Sequence, residues 1–110
     1  MNFDHQTAIV TGAGSGIGRA TAQALAQAGA HVIVADIDTA AGEASAAAIR
    51  KQGRQATFMP VDMTDAASIA DFAAAAQADC GAIDVLVNAA GWGRTAPFVE
   101  GTPEFWDKLV

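Results

Sequence analysis

The segment from Thr11 to Gly18 constrains the fold of this chain more than any other. It reads Thr-Gly-Ala-Gly-Ser-Gly-Ile-Gly and directly follows an apolar run, Thr7 to Val10. Glycines allow a tight turn and leave peptide N–H groups open to an anion, and a helix that begins there directs its positive end at the same point. The segment therefore predicts a buried strand, a phosphate-binding turn and a helix in succession.

The spacing of these glycines, together with a later carboxylate, indicates that the phosphate group belongs to a nucleotide. Gly12, Gly16 and Gly18 fit Thr-Gly-x-x-x-Gly-x-Gly, although a glycine cluster alone is weak evidence. Asp36 ends the next apolar run, His31 to Ala35, at a distance from the glycines that lets an acid reach the ribose of a dinucleotide. The alternative is that Asp36 only caps a strand end. The order of strand, glycines, helix, strand and acid favours nucleotide binding.

Strand and helix patterns alternate along the whole chain, which predicts β-α-β units and an α/β fold with a doubly wound, Rossmann-like parallel sheet. The predicted strands are Thr7–Thr11, Val32–Ala35, Ala56–Val61 (with Pro60 indicating a sheet edge) and Ile83–Val87. The predicted helices run from Ile17 to Ala28, from a cap at Asp38 or Thr39 through Ile49, and from Thr64 or Asp65 to Gly81. The expected packing faces are Ile17, Ala20, Thr21, Ala24 and Ala28 in the first helix, and Ile69, Phe72 and Ala76 in the third.

The last residues suggest that this sequence is the front part of a longer chain. Thr102-Pro103 is a good helix start, but only about two turns remain before Val110. If the first and fourth strands are neighbours, the far edge of the fourth has no partner, and a bare apolar edge invites aggregation. We therefore expect residues 1–110 to be a single but incomplete dinucleotide-binding domain, truncated after the fourth strand and the start of the next helix.

Composition excludes several classes of function. A net charge of −6 argues against a nucleic-acid partner, and 52% hydrophobic with 16% charged residues indicates a globular chain. The start has no signal-peptide pattern, and no apolar run is long enough to span a membrane. Cys80 is the only cysteine, which fits a reducing cytoplasm, and we interpret it as a small buried or half-buried thiol near a helix end rather than a nucleophile.

With Asp62-Met63 and Asn88-Ala89-Ala90-Gly91 added in order, the chain resembles the classical short-chain dehydrogenase/reductase family from about Gln6 to Val110. The resemblance implies that the glycine turn holds the pyrophosphate, that the acid after the second strand takes the adenosine ribose, and that the later segments border the adenine. The cofactor-binding residues that it implies are Gly12, Ser15, Gly16, Ile17, Gly18, Asp36, Ile37, Asp62, Met63, Asn88, Ala90 and Gly91. It also implies a homo-oligomer, a tetramer, in the complete protein.

The family's catalytic groups are missing from these residues. Its serine, its Tyr-x-x-x-Lys pair and its assisting asparagine all lie beyond the equivalent of Val110, and the sequence contains no tyrosine. We therefore place no catalytic residue in this chain and expect the 110 residues alone to be inactive. No metal site is predicted, because His5 and His31 lie apart and the acidic residues show no ligand spacing.

Charge favours NAD over NADP as the cofactor. A carboxylate at Asp36 accepts hydrogen bonds from ribose hydroxyls but repels the additional phosphate of NADP, and Asp38 adds a second negative charge. The nearest basic residue, Arg19, falls inside the first helix.

The leading functional interpretation is an NAD(H)-dependent oxidoreductase of the short-chain dehydrogenase type. It would transfer a hydride between nicotinamide and a small-molecule alcohol or ketone, and this chain would supply the cofactor-binding half. The alternative is a non-catalytic nucleotide-binding or subunit-interaction fragment. ATP hydrolysis of the P-loop kind is disfavoured, because no lysine follows Gly18.

Overall fold

The alternation of strands and helices is present as the sequence predicts. The computed structural model describes residues 3–89 and 99–100. In them the elements are β1 (Thr7–Thr11), α1 (Gly16–Gln27), β2 (His31–Asp36), α2 (Thr39–Lys51), β3 (Ala56–Pro60), α3 (Ala66–Cys80), β4 (Val85–Asn88) and β5 (Val99–Glu100). The four predicted strands and the first three helices are confirmed, with ends that move by one or two residues.

The strands form one sheet whose order across the described residues is β3-β2-β1-β4-β5. β1 pairs in parallel with both β2 and β4, and β2 pairs in parallel with β3. From β1 the chain moves outward through β2 to β3 and then returns past β1 to β4. This is the doubly wound, Rossmann-like arrangement that was predicted. It brings the carboxyl ends of β1 to β4 to one edge of the sheet.

The far edge of β4 differs from the expectation that it is bare. β5, the two residues Val99–Glu100, pairs with it in antiparallel fashion, with Leu86 opposite Glu100 and Val87 opposite Val99. An edge strand offers unpaired N–H and C=O groups, and even a short extended segment can satisfy them. The helix predicted from Thr102 lies outside the described residues.

The core has two layers, one on each face of the sheet. On one face α1 and α2 cover alternate strand residues, and on the other face α3 covers the rest. The first layer includes Ala8, Val10, Val32, Val34, Ala46, Ile49 and Val87. The second includes Ile9, Ile33, Val61, Ile69, Phe72, Ala76 and Leu86. The face predicted for α3 is thus confirmed.

The face predicted for α1 is wrong by a rotation of the helix. The buried residues are Gly18, Ala22 and Ala26, whereas Ile17 is 52% exposed. A Cβ atom on Gly18 would overlap the carbonyl oxygen of Gly12. The helix therefore turns its smallest residues, spaced four apart, toward the sheet and leaves Ile17 facing outward.

The starts of α2 and α3 depend on aspartates that the sequence had singled out. Asp38 caps α2 by accepting a hydrogen bond from the N–H of Ala41 at 3.0 Å. Asp65 caps α3 by accepting from the N–H of Ala67 at 2.9 Å. Both caps lie at the sheet edge where β2 and β3 end, so they fix the helix starts next to the candidate site.

Candidate nucleotide-binding site

The turn between β1 and α1 is built from glycines in an unusual backbone conformation. Gly12 has a φ of 69° and Gly16 a φ of 59°, values that side-chain-bearing residues rarely adopt. Ser15 is the N-cap of α1, yet its side chain makes no capping hydrogen bond. Since the first N–H groups of a helix have no partner within the helix, this turn presents donors at the edge of the sheet.

Two glycines of the motif serve different purposes. Gly18 is buried, and its lack of a side chain lets α1 approach the backbone at Gly12. Gly16 is exposed, and no atom lies within 4 Å of where its Cβ would be. Ser15 and Ile17 beside it are also exposed. The turn therefore combines a tightly packed base with an open outer surface, which is the shape that a diphosphate needs to reach backbone N–H groups.

Asp36, the last residue of β2, lies against this turn. Its Oδ2 accepts a hydrogen bond from the N–H of Gly14 at 2.8 Å, and its Oδ1 accepts from the N–H of Asp38 at 2.9 Å. The turn runs alongside β2, because the N–H of Ala13 donates to the carbonyl of Ala35 at 3.1 Å. One backbone segment thus carries the glycine donors and also orients the carboxylate.

Asp62 follows β3 at the same edge. The Thr64 hydroxyl donates to its Oδ1 at 2.6 Å and the Thr64 N–H donates to the same oxygen at 2.9 Å. These two bonds favour the ionised form and lower the pKa of Asp62 below its ordinary value. Asp62 lines a depression of about 620 Å³ together with Ile37, which is 68% exposed. Met63, in contrast, packs against the core layer beneath α3.

Asn88, the last residue of β4, joins the site through β1. Its Oδ1 accepts a hydrogen bond from the Thr11 hydroxyl at 2.9 Å, and Thr11 itself is 1% exposed. The N–H of Ala89 donates to the Thr11 carbonyl at 3.2 Å. These bonds connect the two strands between which the direction of winding reverses. Ala90 and Gly91 lie outside the described residues.

The structure therefore brings most of the predicted residues to one edge, because each follows the carboxyl end of a parallel strand. It also shows three contributors that the sequence analysis did not assign: Gly14, Thr64 and the side chain of Thr11. Gly14 had a visible signal, since it is a glycine at a position that the motif leaves open. Thr64 had a local signal, since it lies two residues after Asp62, a spacing that favours a hydrogen bond between them. Thr11 had none, because its partner Asn88 is 77 positions away and is recognisable only once the fold is known.

A separate polar contact lies at the other end of the strands, where β2 and β3 begin. His31 Nε2 lies 3.0 Å from the Thr57 hydroxyl, and its Nδ1 lies 3.9 Å from Cys80 Sγ. Burial, and then the neighbouring Asp79 carboxylate, raise the pKa of Cys80, which keeps the thiol protonated near neutral pH. This agrees with the interpretation of Cys80 as a half-buried thiol rather than a nucleophile. Between residues 3 and 89, no helix has the length and apolarity to cross a bilayer.

Fold and site geometry together define a Rossmann-like α/β protein, and comparison with known sequences specifies its family. The family model described as short chain dehydrogenase matches residues 6–110. The chain therefore belongs to the short-chain dehydrogenase family.

Individual relatives agree with that family. The chain is 44% identical over 109 residues to sorbitol dehydrogenase of Cereibacter sphaeroides, and the match covers 99% of this chain and 41% of the relative. It is similar to the crystal structure of hydroxysteroid dehydrogenase from Escherichia coli, with a TM-score of 0.81 and 39% identity, covering 88% of this chain and 41% of the other. A metagenomic short-chain oxidoreductase in complex with NADP gives a TM-score of 0.80 at 38% identity, covering 83% and 41%. The chain thus spans less than half the length of these relatives.

Proposed function

We propose that the protein carrying this chain is an NAD(H)-dependent oxidoreductase that transfers a hydride between nicotinamide and an alcohol or ketone. The chain would supply the cofactor-binding half. One observation carries the proposal: the open glycine turn before α1 is joined to the Asp36 carboxylate through the N–H of Gly14, at 2.8 Å. A diphosphate needs N–H donors at a helix start, and the adjacent ribose needs an acceptor beside them. Family membership supports the same class of chemistry.

The residues at this edge fit a dinucleotide in type and order. In the proposal the glycine turn binds the pyrophosphate, Asp36 takes the adenosine ribose, and the residues after β3 and β4 enclose the adenine. The complete proposed set is Gly12, Ser15, Gly16, Ile17, Gly18, Asp36, Ile37, Asp62, Met63, Asn88, Ala90 and Gly91. Nicotinamide, when bound, supplies the hydride acceptor or donor. The chain's own residues bind and orient it, and we assign proton transfer to residues outside this sequence.

The choice of NAD over NADP is part of the proposal. A ribose hydroxyl can donate to Asp36, whereas the additional phosphate of NADP would meet the negative charges of Asp36 and Asp38. A similar fold holds NADP in the metagenomic oxidoreductase. The fold alone therefore does not exclude NADP, and in the proposal the side chains near Asp36 carry the preference for NAD.

Calorimetric titration of the full-length protein with NAD and with NADP tests this assignment. We expect tighter binding of NAD. We also expect Asp36→Ala to weaken NAD binding by about 10- to 100-fold, as for the loss of a hydrogen bond of about 1.5–3 kcal/mol to a charged group. The control is Glu43→Gln, which removes an exposed charge from α2 and should leave the affinity unchanged. Absence of binding, or an unchanged ratio of the two affinities in Asp36→Ala, would contradict the proposal.

Turnover separates the enzyme from the non-catalytic alternative. A panel of small alcohols is incubated with NAD and the full-length protein, and formation of reduced nicotinamide is followed by absorbance. Turnover supports the oxidoreductase, whereas tight NAD binding without any turnover favours a nucleotide-binding or subunit-interaction role. We further propose a homo-oligomer, a tetramer by family resemblance, and a cytoplasmic location. Light scattering after size-exclusion chromatography measures the first of these.

A further inference from the structure

The backbone conformation at Gly14 does not require a glycine. The pattern Thr-Gly-x-x-x-Gly-x-Gly leaves its position open, and its φ does not lie in the left-handed region, unlike those of Gly12 and Gly16. A residue with a side chain could adopt this backbone conformation. Any constraint toward glycine at this position therefore comes from the neighbouring residues and not from the backbone conformation.

Those surroundings leave no room for a side chain. A Cβ atom on Gly14 would lie 2.8 Å from Oδ2 of Asp36 and 2.9 Å from the Cβ of Ala41. Cβ atoms in proteins essentially never approach other atoms below 3.0 Å, so one neighbour would have to move. Ala41 belongs to the first turn of α2, which Asp38 caps, and its backbone carbon is also only 3.2 Å away. Oδ2 is the end of a side chain that can rotate, whereas the Ala41 atoms belong to the helix, so the Asp36 carboxylate is the neighbour that would be displaced.

The same residue also holds that carboxylate in place. The N–H of Gly14 donates to Oδ2 of Asp36, the oxygen that a Cβ would displace, while the N–H of Asp38 donates to Oδ1. Gly14 thus provides both the donor and the space. A carboxylate fixed before its ligand arrives loses little side-chain entropy on binding.

We propose that Gly14 is a positioning residue that holds the Asp36 carboxylate in the orientation that receives the ribose, and that it thereby sets the preference for NAD over NADP. The inference rests on the proposed function. It predicts that the effect of Gly14 on cofactor binding passes through Asp36, which distinguishes it from a glycine needed only for folding.

The test is a double-mutant cycle measured by calorimetric titration of the full-length protein with NAD and NADP. We expect Gly14→Ala to weaken NAD binding by about tenfold, the loss expected from one misplaced charge-assisted hydrogen bond. NADP binding should change much less, so the ratio of the two affinities falls. In the Asp36→Ala background the same substitution should cause no further loss. The control is Gly53→Ala, which strains a φ of 80° in open space and should leave the ratio unchanged.

An equal loss for NAD and NADP would overturn the inference, and so would a full loss in the Asp36→Ala background. If Gly14→Ala does not fold, the double variant Gly14→Ala/Ala41→Gly is used instead. It removes the close approach to the Cβ of Ala41 and keeps the close approach of the new Cβ to Oδ2 of Asp36. The same fall in the ratio is expected there, and an unchanged ratio would contradict the role of Gly14. A wild-type protein that binds neither dinucleotide overturns the proposed function as well, whereas normal wild-type binding with unaltered ratios removes only the role of Gly14.

Discussion

Thr64 acts on Asp62 through two hydrogen bonds that converge on one carboxylate oxygen. The hydroxyl bond, at 2.6 Å, is the larger cause of the lowered pKa, and the N–H bond, at 2.9 Å, is the second. Both stabilise the charged carboxylate and neither depends on a distant residue. The beginning of α3 therefore carries a small local dependence on pH.

We predict that Thr64→Val raises the pKa of Asp62 part of the way to its ordinary value. The hydroxyl is lost, while the backbone N–H still donates. A ¹³C NMR titration of the Asp62 side chain measures the change. Thr39→Val, at the exposed start of α2, is the matched control and should leave that titration unchanged. An unaltered pKa in Thr64→Val would show that the hydroxyl bond is not formed in solution.

The sign of the pH dependence follows from the direction of that pKa shift. Because the folded-state pKa lies below the unfolded value, Asp62 adds stability above the unfolded pKa and loses it as the pH falls through the folded one. The stability difference between wild type and Thr64→Val should therefore be present near neutral pH and shrink below about pH 4. Urea unfolding at a series of pH values measures it.

The location of a single residue could be predicted where it depends only on the residue's position at the end of a strand. Asp36 and Asn88 end strands, so parallel strands were enough to bring them to one edge. The contacts of Gly14 with Asp36, and of Thr11 with Asn88, depend on how separate strands are aligned. Local sequence carries no record of that alignment.

Among the elements, helix ends were easier to predict than helix faces. Capping residues such as Asp38 and Asp65 mark the ends directly. The face of α3 was predictable because Ile69 and Phe72 are its large apolar residues. In α1, alanines occupy several faces, and the close approach of Gly18 to the turn, rather than hydrophobicity, sets the rotation.

Gly42 provides a test of how closely α2 packs on β3. A Cβ atom there would overlap the ring of Phe58. We predict that Gly42→Ala lowers the free energy of unfolding by about 1–3 kcal/mol through overpacking, despite a gain of about 1 kcal/mol in helix propensity. In a Phe58→Ala background the sign should reverse, because only the propensity gain remains. Urea unfolding of the four proteins measures both effects, and destabilisation of equal size in both backgrounds would rule out the ring as the cause.

At the scale of the whole molecule, the protection of backbone amides from hydrogen exchange should depend on whether their strand lies in the middle or at the side of the sheet. Ala8, Ile9 and Val10 of β1 are fully buried, and their strand lies between β2 and β4. β3 pairs with β2 alone among the described strands, and Pro60 interrupts its end. We predict that amides of β1 exchange with solvent only on global unfolding, whereas outward-facing amides of β3 exchange faster. Hydrogen exchange followed by NMR measures this, and equally slow exchange in β3 would contradict it.

The class of fold was predictable at this scale because regular alternation of strands and helices is typical of α/β proteins with a parallel sheet. The spatial order of the strands was less accessible. Nothing in the apolar runs themselves shows that the neighbours of β1 are β2 and β4, or that Val99–Glu100 joins the far edge. Those pairings depend on the handedness and direction of each connection, which the pattern of single segments does not contain.

The return of the chain past β1 has a consequence for the order of assembly during synthesis. A growing chain can pair β1, β2 and β3 once residue 60 is available, but Thr11 waits for a partner that is 77 positions away. Closing so long a loop costs conformational entropy before β4 forms any stabilising contact with β1. The hydrogen bond of Thr11 to Asn88, and with it this part of the candidate site, is therefore completed only after β1, β2 and β3 have paired.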